Sequence, residues 1–114
     1  MLLNMNFSKS VNTIIKDDSC IKSPTDGVFR LPLEKEHAES GHTTSFVKFE
    51  PGSYFPPHEH PKGEEIVVIK GKFIDEHGEY KEGSWLRSTH FSEHFPYVDE
   101  ETLILVKVGH LPII

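Results

Sequence analysis

Residues 52–71 read Gly52-Ser53-Tyr54-Phe55-Pro56-Pro57-His58-Glu59-His60-Pro61-Lys62-Gly63-Glu64-Glu65-Ile66-Val67-Val68-Ile69-Lys70-Gly71. The second half is a β-branched run closed by glycine, which predicts a strand. The first half is rich in proline and histidine, and Pro61 to Gly63 can reverse the chain into that strand. In an extended segment, residues i and i+2 point to one face about 6.5–7 Å apart at their Cα atoms, so His58 and His60 can converge on one ion. Glu64, opening the next strand, can return a carboxylate to the same face. Glu65 could replace it after a one-residue shift of register, but the period of two allows only one of them to face inward. His-x-His alone also occurs on solvated strand edges, which is the competing reading of this pair.

Outward from this stretch the pattern stays β. Residues 43–50 alternate, with Ser45, Val47 and Phe49 on one face and Phe46 and Lys48 on the other. Residues 72–75 continue the central run, Glu76-His77-Gly78-Glu79 predicts a hairpin turn, and residues 84–87 and 102–108 predict two further strands. Residues 28–31 read as a short strand stopped at Pro32, and the polar residues 33–41 as a helical turn or exposed loop. Residues 1–22 are expected to form an N-terminal arm suited to a sheet edge or a dimer partner, and 23–114 the domain proper. Short strands with Gly or Pro punctuation and no convincing helix indicate a single all-β sandwich or barrel with a partly open interior.

Composition narrows the function. A length of 114 residues suits one domain with one core. Twelve Lys and Arg against eighteen Asp and Glu give a formal charge of -6, with the basic residues scattered, so a nucleic-acid partner is not expected. No apolar run approaches the length of a membrane span. A lone Cys20 cannot form an intramolecular disulfide, and residues 1–12 lack the pattern of a signal peptide, so a cytoplasmic setting is expected. Eight histidines stand out, because imidazole is the commonest metal ligand.

A fourth ligand must come from a second strand. His90 and His94 are the candidates, and His94 is preferred, with His90 read as a solvated loop histidine. Arg87, a guanidinium in an apolar strand, suits either a substrate carboxylate or an outward salt bridge. Tyr54, Phe46, Phe49, Phe73, Trp85 and Phe95 read mostly as packing residues. His37, His42, His77 and His110 read as solvated, and Cys20 as a plain thiol.

Residues 52–71 match G-x5-H-x-H-x3-E-x6-G, the first motif of the cupins, at every fixed position. With Ser23-Pro24-Thr25-Asp26-Gly27-Val28, residues 44–52, Asp75-Glu76-His77-Gly78-Glu79-Tyr80 and Gly83-Ser84-Trp85-Leu86-Arg87, the chain resembles the cupin domain of the anti-sigma factor ChrR and its free-standing relatives. The resemblance implies a double-stranded β-helix, or jelly-roll barrel, with one divalent ion on His58, His60, Glu64 and His94. It favours Glu64 over Glu65. The second motif usually carries Pro-x-Gly before its histidine, whereas this chain has Ser88-Thr89-His90-Phe91-Ser92-Glu93, which keeps His90 as an additional pocket candidate beside Tyr54 and Arg87.

Two functions follow from the resemblance. The first is a non-haem metal-dependent dioxygenase acting on a small diketone or hydroxyketone, as in the more distantly similar acetylacetone dioxygenases. The second is a non-catalytic zinc-binding sensor or regulatory module. Zinc or iron leads the metal expectation, with nickel or manganese also compatible. A homodimer and a small-molecule ligand are expected. ChrR also carries a separate N-terminal zinc domain with no counterpart expected here, so a complete anti-sigma factor is not the expectation.

Overall fold

The computed structural model describes residues 3–37, 41–55, 58–89 and 92–112, with 58–60 given as backbone alone. Among the described residues ten strands follow in chain order: β1 (Ile21–Lys22), β2 (Val28–Lys35), β3 (Thr43–Phe49), β4 (His58–His60), β5 (Glu64–Lys70), β6 (Lys72–Asp75), β7 (Gly78–Lys81), β8 (Trp85–Ser88), β9 (Ser92–His94) and β10 (Thr102–Val108). Six make one antiparallel sheet in the order β1-β2-β3-β10-β5-β8. β4 pairs with β9, and β6 with β7. Tyr97, just past β9, bridges to both Ile74 and Tyr54 and so ties the two ribbons together. The fold is all-β, with one core.

Strand alternation places that core. Ile104 of β10 stands opposite Val47 of β3 and Val68 of β5, and Val106 opposite Ser45 and Ile66. Val47, Val68 and Ile104 are at most 3% exposed and meet Val28, Phe49, Phe73 and Val98. Full burial of a side chain of this kind contributes about 1.5–3 kcal/mol. The offset residue Leu105 faces Phe46 and Val67 on the other side of the sheet. One polar row crosses that outer face: Glu34, Thr44, Lys107, Glu65 and Arg87 are successive cross-strand partners.

Gly71 explains the last fixed position of the first motif. Its φ is +84°, a conformation glycine adopts without steric cost, and a Cβ there would lie 2.9 Å from Thr102 Cα. Thr102 is fully buried, and its hydroxyl accepts from the Lys72 amide at 3.2 Å. The chain thus turns from β5 into β6 directly against the start of β10.

Two sequence expectations need correction. β2 does not stop at Pro32 but continues to Lys35, so residues 33–35 are strand rather than loop or helical turn. Pro32 is tolerated because β1 covers β2 only at Phe29 and Arg30, and because a shift of register between Pro32 and Glu34 absorbs the missing amide. In the N-terminal segment β1 pairs with β2, and Leu3 bridges to Lys35. Among the described residues, no helix is long and apolar enough to cross a membrane.

Candidate metal centre

β5 begins at Glu64, and its alternation sends Glu64, Ile66 and Val68 inward. Glu64 is 6% exposed. Glu65 points to the opposite face, where Arg87 Nε and Nη2 donate to its Oε2 at 2.9 and 2.8 Å and His110 Nε2 meets its Oε1. The hydrogen bond from His110, followed by that from Arg87, holds the Glu65 carboxyl below the usual range. The period of two therefore turns Glu64 inward and Glu65 outward.

His94 closes β9 and is 5% exposed. Its Nε2 lies 3.3 Å from Glu64 Oε1, and its Nδ1 lies 3.6 Å from Asp75 Oδ2. Asp75 is fixed in turn, because its Oδ1 accepts from the His77 amide at 2.8 Å and from Tyr80 Oη at 3.4 Å. Burial and then the Asp75 charge push the Tyr80 hydroxyl pKa up, so it stays a donor. Beyond His94, the Phe95 amide donates to both oxygens of Glu76, which clamps the end of β9.

The register of β4 on β9 sets His58 opposite His94 and His60 opposite Ser92. The side chains of His58 and His60, and His90 as a whole, lie outside the described residues. Among the described residues, no group of three or more metal-ligating side chains forms. The donor types nevertheless suit a divalent ion: a buried carboxylate and a buried imidazole approach each other at a cavity wall, with two more histidines on the strand paired to His94.

Glu64 and His94 open onto a cavity of about 370 Å³. Among the described residues its other polar lining groups are Arg30, Thr43 and Ser45, and the rest of that lining is apolar, with Phe49, Phe55 and Phe73 prominent. A smaller cavity of about 230 Å³ touches the other side of His94 and includes Asp75, Tyr80 and Arg87. Arg87 is committed to Glu65 and lies over the Trp85 ring at 5.0 Å. Tyr54 is exposed, stacks on Phe95 with ring centroids 6.0 Å apart, and does not line the larger cavity. Trp85 is likewise exposed, unlike the buried Phe46, Phe49 and Phe73.

His42 and His110, read from sequence as solvated, are not. Their side chains are 18% and 14% exposed, their rings lie 5.9 Å apart, and they pair with Glu34 and Glu65 respectively. Loop position hid them because their partners come from the outer row of the sheet. Cys20 fits its expectation, since burial and the nearby Asp17 push its thiol pKa up. Sequence reasoning passed over Asp75 and Arg30. Arg30 carried a signal, a cation two residues after Val28 and so on the same face of the predicted strand.

The ChrR cupin-like domain family matches residues 10–112. The chain belongs to that family. No curated protein sequence matches this ChrR-like cupin. Among solved structures it is similar to an acetylacetone dioxygenase from Acinetobacter johnsonii, at TM-score 0.78 and 19% identity over 89% of this chain and 74% of that one. It is also similar to a chain of the complex of Rhodobacter sphaeroides SigE with the anti-sigma ChrR, at TM-score 0.65 and 20% identity over 76% of this chain and 46% of that one. KdgF from Halomonas sp. aligns at TM-score 0.65 and 20% identity over 87% of this chain and 95% of that one. At these identities the likeness establishes the cupin fold alone.

Proposed function

We propose that this ChrR-like cupin is a metal-dependent enzyme of the dioxygenase-like kind. It holds one divalent ion, iron or zinc, on His58, His60, Glu64 and His94 and acts on a small diketone or hydroxyketone in the adjoining cavity. The observation that carries the reading is the buried approach of Glu64 to His94 at the wall of a cavity large enough for a small ligand. The register that sets His58 opposite His94 supports the ligand set. The bound ion would polarise a substrate oxygen and, as iron, activate dioxygen. The chain's own part is to fix that ion, exclude water with apolar walls and hold His94 in one orientation through Asp75.

The test is the metal present after purification, read together with oxygen uptake on a panel of β-diketones and hydroxyketones. Iron with uptake is the expected result. His58→Ala should lose most of the metal, and full retention in that variant overturns the site. The family match favours a second reading, a zinc-binding regulatory module. Tightly held zinc without oxygen uptake on any of the panel would replace the enzyme with that module. A homodimer is part of the proposal: the arm leaves Val11, Ile14 and Ile15 exposed, and light scattering after gel filtration measures the state.

A further inference from the structure

β2 carries an arginine on the inner face of the sheet. Arg30 stands opposite Val47, in the register that also sets Val28 opposite Phe49, and it lines the larger cavity together with Glu64 and His94. Its guanidinium lies over the Phe55 ring, 5.5 Å from the centroid, which holds the planar group in place at the cavity wall. Arg30 is open to solvent on one side, yet desolvation by the surrounding protein lowers its pKa, with the Glu64 charge opposing that shift. It stays charged, as arginine does in proteins. Among the described residues Arg30 forms no ion pair, so the fork of N–H donors is left for a ligand.

Charge and shape then limit the occupant. If Glu64 is spent on a divalent ion, the ion with one carboxylate and neutral imidazoles keeps a positive charge, and Arg30 adds a second one across the same cavity. Among the described lining residues, the remaining polar groups are the hydroxyls of Thr43 and Ser45. A neutral diketone gains little from either charge, whereas an anion is attracted by both and can take the place of water on the guanidinium.

We infer that Arg30 is a substrate-positioning residue that binds a carboxylate, so that the substrate is a small 2-oxo or 2-hydroxy acid with a short apolar body. The inference rests on the metal-centre reading for the ion in the same cavity. It keeps the metal centre of that reading and replaces its neutral ketone substrate with an acid.

The experiment measures binding of 2-oxobutanoate and of its neutral isostere 2,3-pentanedione by calorimetric or NMR titration, on the full chain with its metal and after chelation. Metal content is assayed separately in every sample. The metal-bearing wild type should bind the oxo acid at least about tenfold more tightly than the diketone. Arg30→Gln should erase that preference while leaving diketone binding, metal content and melting temperature unchanged, and Arg30→Lys should restore part of it. Oxo-acid binding equal in wild type and Arg30→Gln overturns the inference, as does a preference for the diketone or no measurable binding of the acid. Absence of metal sinks only the metal-centre reading, because an Arg30-dependent preference in the chelated chain would still report the anchor.

Discussion

His94 Nδ1 faces Asp75 Oδ2 at 3.6 Å, on the side of the imidazole turned away from Glu64. A carboxylate in that position fixes the ring and its tautomer and makes the other nitrogen a better donor to a metal. Asp75→Asn keeps the shape and removes the charge. Metal affinity, measured by competition with a chromophoric chelator, should fall by about 10–100-fold with the β-sheet spectrum unchanged. Equal affinity in variant and wild type would leave Asp75 with a structural role alone.

The strands that make the core were legible because their periodicity is local. Ser45, Val47 and Phe49 declare an inner face by alternation, and the same rule read along β5 separates Glu64 from Glu65 once one neighbour's face is known. What alternation cannot supply is which distant strand supplies a partner. Asp75 reaches His94 across a gap of nineteen residues (94 minus 75), and Glu65 reaches His110 across forty-five, so neither pair has a spacing to recognise. Pro32 misled for the opposite reason: its local preference to end a strand was overridden by its place near the sheet edge and by a shift of register.

Glu65 gives a pH dependence whose sign is fixed by its direction of shift. His110 and then Arg87 hold its folded pKa below the ordinary carboxylate value of about 4.3. The stability it contributes is therefore present above that value and is lost as pH falls through the lower, folded value. Glu65→Gln should melt a few degrees below wild type at pH 7, a gap that should narrow as pH falls below the ordinary carboxylate value. Metal content should not change, since Glu65 lies on the outer face. A gap that widens in acid would contradict the assignment.

Gly71→Ala tests the turn between β5 and β6. The new methyl group would have to occupy a left-handed backbone conformation and press on the Glu101 carbonyl oxygen and on Thr102 Cα, both of them backbone atoms. Destabilisation should exceed about 1 kcal/mol, read as a lower urea midpoint at unchanged slope. Gly83→Ala provides the contrast: φ is +90° there too, but no atom lies within 4 Å of the added carbon, so only the conformational part of the cost applies.

Phe49 joins the core to the cavity. It is 1% exposed, meets Phe55 and Phe73 nearly edge-on at 5.7 and 6.0 Å, and forms part of the cavity wall. Removing a buried aromatic ring typically costs about 3–5 kcal/mol, through lost transfer energy and the void left behind. Here the void would merge with an existing space of about 370 Å³ that opens to polar groups, so the neighbours have little to collapse onto and water can enter beside the phenyl rings. Phe49→Ala should therefore lose stability across that range in urea unfolding while keeping the Glu64 and His94 pair. A loss below about 1 kcal/mol would mean that the ring is not packed as described, and that the cavity wall on the β3 side is differently built.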